Sequence, residues 1–153
     1  MPTLPARALL PAALCIAAAW PLAASARTPA ETANLETVEA FYQAGLNDKD
    51  ADAALRYLGP NYTQHNPNAA YGPEGFRGYV AFLRKEHPQS HSRIVRAFAD
   101  GDYVILHVHA VRDPGTRGSA IVDIFRLDKG RIVEHWDVNQ PIPEQTASGN
   151  PML

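Results

Sequence analysis

The sequence predicts an α+β domain in which helices pack on one face of an antiparallel sheet. Three observations carry this prediction. Apolar residues recur at helical spacing only in the first half, between residues 35 and 86. Strand-like segments rich in Val, Ile and aromatics fill residues 92–140. The connections between those segments are short and built on Asp, Gly and Pro, as in a meander of neighbouring strands.

Each element has its own signal. Leu35, Val38, Phe41, Tyr42 and Leu46 place one apolar stripe on a helix over residues 35–46. Ahead of it, residues 27–33 read as a short leader, with Thr28-Pro29 suited to a cap and a first-turn proline. Asn47-Asp48-Lys49-Asp50 breaks this helix, and Asp50 caps a second one over 51–58 that Gly59-Pro60 ends. Tyr62-Thr63-Gln64-His65 is extended, and Asn66-Pro67-Asn68 turns the chain away. A third helix over 75–86 carries Phe76, Tyr79, Val80 and Leu83 on one side and closes at His87-Pro88. Four strands follow, over 92–99, 103–112, 119–127 and 131–140. Asp100-Gly101 makes a hairpin turn, Asp113-Pro114-Gly115 a longer one, and Asp128-Lys129-Gly130 suits a type I turn with a glycine bulge. The domain is expected to span residues 34–143, with a loose polar tail over 144–153.

The N-terminus is expected to be removed. One basic residue, Arg7, precedes an Ala- and Leu-rich run over 8–23 and the small-residue site Ala24-Ser25-Ala26, which is the layout of a secretory signal peptide. Cleavage after Ala26 predicts a periplasmic or secreted protein with no stable membrane insertion. The sole cysteine, Cys15, leaves with the signal, so no disulfide or thiol ligand is expected. Removing Arg7 takes Lys+Arg from 14 to 13 against 16 Asp+Glu, a net charge of −3. With no basic stripe, nucleic acid is not an expected partner.

The strongest chemical signal is the hairpin over 118–141. Its alternation puts Asp123, His135 and Asp137 among apolar residues, where ionisable groups are paired or functional. Asp123 shares a face with Ile121 and Phe125, while His107 and His109 share one with Tyr103, Ile105 and Val111. If a glycine bulge sets the register, Asp123 lies against His135, and the preceding loop allows His109 opposite Asp123. His109, Asp123 and His135 then form a row across three strands, with His65 at the rim of the sheet. His107, Asp137, Trp136, Phe125 and Tyr103 are expected to line the pocket around them. A carboxyl beside an imidazole in apolar surroundings suits proton transfer next to a carbonyl. The structural alternative is a hydrogen-bonded network that only fixes strand register.

Together Tyr62-Thr63-Gln64-His65-Asn66-Pro67, Gly75-Phe76, Asp123-Ile124-Phe125-Arg126 and the run from Gly130 to Asp137 (GRIVEHWD) resemble the SnoaL-like branch of the NTF2-like superfamily. The resemblance implies a cone: N-terminal helices packed on a strongly curved antiparallel sheet, with a deep pocket inside and a homodimer across the outer sheet face. In the branch's polyketide cyclases a His and an Asp fourteen positions apart serve an aldol condensation without metal or cofactor, a spacing that His109 and Asp123 match. The superfamily's isomerases and epoxide hydrolases also use pocket carboxylates, the latter on the last strand, where Asp137 lies. The hydrolases' arginine between two carboxylates has no counterpart in 103–112, which argues against epoxide hydrolysis.

The leading expectation is a cofactor-free acid/base enzyme acting on a small hydrophobic carbonyl compound, with Asp123 as acid/base, His109 orienting it, and His135 and His65 polarising the substrate oxygen. A non-catalytic module binding a small hydrophobic molecule is the alternative. A metal held by His65, His109, His135 and Asp123 is a second, though no ligand pair has a strong metal spacing. A homodimer is expected in each case, because one face of the sheet must still be covered.

Overall fold

The computed structural model describes residues 26–153, so the expected signal peptide, Cys15 included, lies outside the described residues apart from Ala26. The first helix, α1, runs Pro29–Tyr42 and starts in a capping box. The Thr28 hydroxyl accepts the Glu31 N–H at 3.2 Å, and the Glu31 carboxylate accepts the Thr28 N–H at 2.7 Å. Glu31 also accepts the Gly101 N–H at 3.0 Å, tying the helix start to a distant strand turn. The bond from Gly101, and then those from Thr28, hold the Glu31 carboxyl below its ordinary range. The expected leader is thus largely the first turn of α1.

A π-helical turn, Gln43–Asn47, continues α1. Gly45 within it lets Phe76 close, since a Cβ there would lie 2.6 Å from Phe76 Cζ. The second helix, α2, is Ala51–Leu55, capped as expected by Asp50 onto the Ala53 N–H at 2.9 Å. It stops short of 58 because Leu58 is already in a strand, β1 (Leu58–Gln64), paired with the last strand. The third helix, α3, is Gly72–Glu86 and begins three residues before the expected start. Pro73 occupies its first turn, and Gly72, at φ 76°, supplies the backbone bend. None of these helices is long and apolar enough to cross a membrane.

The remaining strands are β2 (His91–Asp100), β3 (Tyr103–Val111), β4 (Ser119–Asp128) and β5 (Arg131–Pro141). Their order is β1-β5-β4-β3-β2. β2 to β5 form the expected antiparallel meander, but β1 joins its edge parallel to β5. The helices cover one face. There Val38, Phe41 and Tyr42 of α1 and Phe76 and Val80 of α3 meet Val104, Leu106, Val108, Phe125, Leu127 and Ile132 of the sheet. Phe41 is the pivot, with ring centroids 4.7 Å from Phe76 and 6.0 Å from Phe125.

The β4–β5 hairpin decides which side chains reach this face. Its turn is the two-residue Lys129-Gly130, both at positive φ (49° and 73°), as a type I′ turn requires. The expected glycine bulge is therefore absent from the turn. A bulge occurs instead three residues along β5: Leu127 pairs with Ile132 and Arg126 with Glu134, leaving Val133 unpaired. Strict alternation from Ile132 would have put Trp136 and Val138 inside. The extra residue shifts the phase by one, so that Ile132, His135 and Asp137 all face inward. Val133 packs over Gly59 of β1, where a Cβ would come within 2.9 Å of Val133 Cγ1.

Candidate active site

Between the helices and the sheet lies a cavity of about 890 Å³, in the size range of pockets for small molecules. Its polar floor is built where β4, β5 and β1 run side by side. Asp123 of β4 is buried at 5% exposure and pairs directly across from Asp137 of β5, with His135 one inward position away. His135 Nε2 lies 3.0 Å from Asp123 Oδ1. The other carboxylate oxygen accepts the Tyr42 hydroxyl at 2.9 Å.

The proton count at this pair follows from its neighbours. Gln64 Oε1 accepts the Asn66 backbone N–H at 2.9 Å, and Gln64 Nε2 donates to the Tyr62 hydroxyl at 2.9 Å, which fixes the amide's orientation. His135 Nδ1, 3.0 Å from the same Oε1, must therefore carry hydrogen and donate. A hydrogen bond between Nε2 and Asp123 Oδ1 then needs one more proton, residing on one partner or the other. Asp123 and His135 are thus bridged by one proton at the polar floor, with the Phe125 ring against the imidazole at 4.6 Å between centroids. Asp137 is held by Asn66, whose Nδ2 reaches its two oxygens at 2.7 and 2.8 Å.

Two tyrosines complete the floor. Burial, then the Asp123 charge, pushes the Tyr42 hydroxyl well above its ordinary value, and Tyr62 is raised by burial and by Asp123 and Asp137. Both stay protonated. Tyr42 donates to Asp123, whereas Tyr62 accepts from Gln64, and its own hydrogen has no acceptor among the described residues.

Asp123, His135, Asp137 and Phe125 therefore line the cavity. His109 does not: it pairs with Ala120 rather than Asp123, and its Nε2 donates to the Arg117 carbonyl at 2.8 Å. Both faces of β3 are apolar in sequence. The aliphatic set Val104, Leu106 and Val108 takes the core, which turns Tyr103, His107 and His109 outward. His107 there accepts from Arg96 at 2.9 Å. His65 also faces outward, because Gln64 is the β1 residue in register with His135. Its ring stacks on Trp136 (4.8 Å, 4°) and donates to Glu134 at 2.9 Å. That bond, and then one from Arg126, hold the Glu134 carboxyl below its ordinary range. Trp136 is thus on the outer face, contrary to expectation. His65, His109, His135 and Asp123 do not converge, and no three His, Cys, Asp or Glu side chains form a metal set among the described residues.

Tyr42, Tyr62, Gln64 and Asn66 were not anticipated as site residues. Parity carried a signal for two of them: Tyr62 and Gln64 share one face of an extended segment, and His65 has the other.

The segment 38–135, well over half of the chain, matches the family model described as the SnoaL-like domain. The chain belongs to the SnoaL-like family. Solved structures agree on the fold of this SnoaL-like domain. A protein from Jannaschia sp. CCS1, provisionally described as a SnoaL-like polyketide cyclase, superposes with a TM-score of 0.63 at 21% identity, covering 76% of this chain and 91% of that one. One from Bacillus cereus ATCC 10987, provisionally described as a polyketide cyclase, gives 0.62 at 19% identity, over 71% and 75%. An uncharacterised cystatin-fold protein from Novosphingobium aromaticivorans gives 0.60 at 27% identity, over 69% and 97%. No curated protein matches the SnoaL-like domain significantly in sequence.

Proposed function

We propose that this SnoaL-like domain is a cofactor-independent acid/base enzyme that moves a proton next to the carbonyl of a hydrophobic substrate, in an isomerase- or aldol-type reaction. The observation that carries this is the Asp123–His135 hydrogen bond, with its one bridging proton, at the floor of a cavity that the Tyr62 hydroxyl also lines. With that proton on His135, the Asp123 carboxylate takes a proton from the carbon beside the carbonyl. The C–H electron pair becomes the enolate double bond, and the Tyr62 hydroxyl donates to the oxygen where charge develops. Asp123 then returns its proton, either to another carbon of the enolate or to the alkoxide formed when the enolate adds to a second carbonyl. The imidazolium balances the Asp123 carboxylate before proton abstraction and after its return, and the enolate charge in between.

The test is hydrogen exchange in D2O, followed by NMR over a panel of cyclic ketones and β-keto esters. Exchange beside the carbonyl above the buffer rate is expected. Its absence across the panel would sink the proposal. A binding module is the second reading, favoured by the complete hydrogen bonding of both carboxylates. Recovery of an unchanged bound molecule from a preparation inactive in exchange would establish it.

We also propose a homodimer across the outer face of the sheet. Tyr103, Ile105, Val122, Val138 and Phe98 are all exposed there, and Val122 sits between His107 and Val138 in the pairing. Sedimentation should show a dimer at micromolar concentration and a monomer for Val122→Lys; a monomeric wild type contradicts the proposal. Export rests on the layout of residues 1–26. Intact mass after expression with the full leader should correspond to a chain starting at Arg27, and a retained leader would refute it.

A further inference from the structure

The inward row of β3 runs Val104, Leu106, Val108 and Ala110, and Arg112 follows in the bend just past the strand. Arg112 lines the cavity at its solvent-exposed end. Its Nη2 donates to the Tyr79 hydroxyl at 3.3 Å, and its guanidinium carbon lies 6.0 Å from the Phe82 ring centroid. Both contacts are neutral. The acids closest in sequence and at the same rim are engaged elsewhere: Asp113 accepts from His87 at 2.8 Å, and Glu144 stands 3.6 Å from Arg117. No carboxylate pairs with Arg112 among the described residues.

The floor has the opposite character. Asp123 and Asp137 face each other across two adjacent strands, and His135 offsets the charge of the first alone, which leaves the floor net negative. An anionic group entering this cavity is repelled from the floor and drawn to the rim. Leu106 pairs with Asp123, and Arg112 lies six positions (112 − 106) further along the same chain. That spacing is about 20 Å of extended backbone before the arginine side chain reaches back. A molecule bridging both ends therefore needs a long apolar body.

We propose that Arg112 seats a terminal carboxylate, so that the substrates are long-chain or fused-ring carbonyl compounds bearing an acid at the end remote from the reacting carbonyl. The guanidinium fork suits a carboxylate in a way a rim lysine would not. The assignment rests on the proton-transfer reading for the carbonyl end alone. The acid end is testable by binding.

The experiment is calorimetric titration of dodecanoate, methyl dodecanoate and dodecyl phosphate into the wild-type protein and Arg112→Gln. Dodecanoate should bind wild type about tenfold more tightly than its methyl ester, the size of one charge-assisted contact. Arg112→Gln should bring the acid down to the ester's affinity and leave the ester unchanged. Equal binding of acid and ester, equal weakening of both by the substitution, or no binding of either overturns the proposal. A preference for dodecyl phosphate over dodecanoate overturns the carboxylate assignment. Carboxylate selectivity without proton exchange would defeat the catalytic reading alone, and exchange without selectivity would defeat this one alone.

Discussion

Asp123→Asn is expected to lower the rate of proton exchange by about a thousandfold or more, within the range of positioned acid/base groups. The loss should be chemical and not structural. The amide has the shape of the carboxylate, so its oxygen still accepts from Tyr42 and its NH2 donates to His135 Nε2, which then no longer needs a second proton. Every buried polar atom at the pair keeps a partner. The thermal midpoint should accordingly move by no more than a few degrees. Exchange within tenfold of wild type would remove Asp123 from the reaction. A collapse in stability alongside the lost rate would leave Tyr62→Phe as the comparison, which withdraws the oxyanion contact together with the acceptor of the Gln64 amide and leaves both carboxylates in place.

The largest expected stability effect belongs to Phe125. Its side chain is 2% exposed and touches both layers, standing edge-on to Phe41 and Tyr42 and 4.6 Å from the His135 ring. Phe125→Ala opens a void where helix, sheet and site meet, and should cost about 3–5 kcal/mol. For a domain of this size that is a fall of on the order of 10–20 °C in the thermal midpoint, read by circular dichroism. Exchange should fall as well, because the imidazole loses the ring that holds it toward Asp123. Phe125→Leu, which keeps most of the volume, should recover the greater part of both losses. An alanine variant that melts within a few degrees of wild type would mean that the core is not organised around this ring.

The balance of what sequence could and could not deliver follows from periodicity. Helices with one apolar stripe, and a hairpin whose inward residues mix Phe with Asp and His, announce themselves. That pattern singles out Asp123, His135, Asp137 and Phe125, which line the cavity. Strand β3 defeats the same logic, because Val104, Leu106 and Val108 alternate with Tyr103, Ile105 and His107, and both sets are hydrophobic enough to be buried. Only competition between two finished faces decides which one the helices cover. The histidine row failed for that reason, and the matching His109–Asp123 spacing was no guide to contact. β1 was missed in part because Gly59-Pro60 reads as a terminator, while the parallel partner that makes it a strand lies more than seventy residues away. Tyr42 was visible only as a core position. Its hydroxyl implied a buried acceptor, but not which one.

The unpaired Val133 makes β5 a strand with two alternative identities. Slid four residues further along, the same bulge would keep the strand order and the hairpin turn and exchange the two sides of the residues in between. Glu134 and Trp136 would point into the chamber, and His135 and Asp137 would sit on the proposed subunit contact. One stretch of chain thus encodes both a proton-handling interior and an adhesive exterior, and the position of a single surplus residue says which is which. A lineage of such domains can therefore change chemistry and assembly together by one insertion and one deletion, without inventing a new fold.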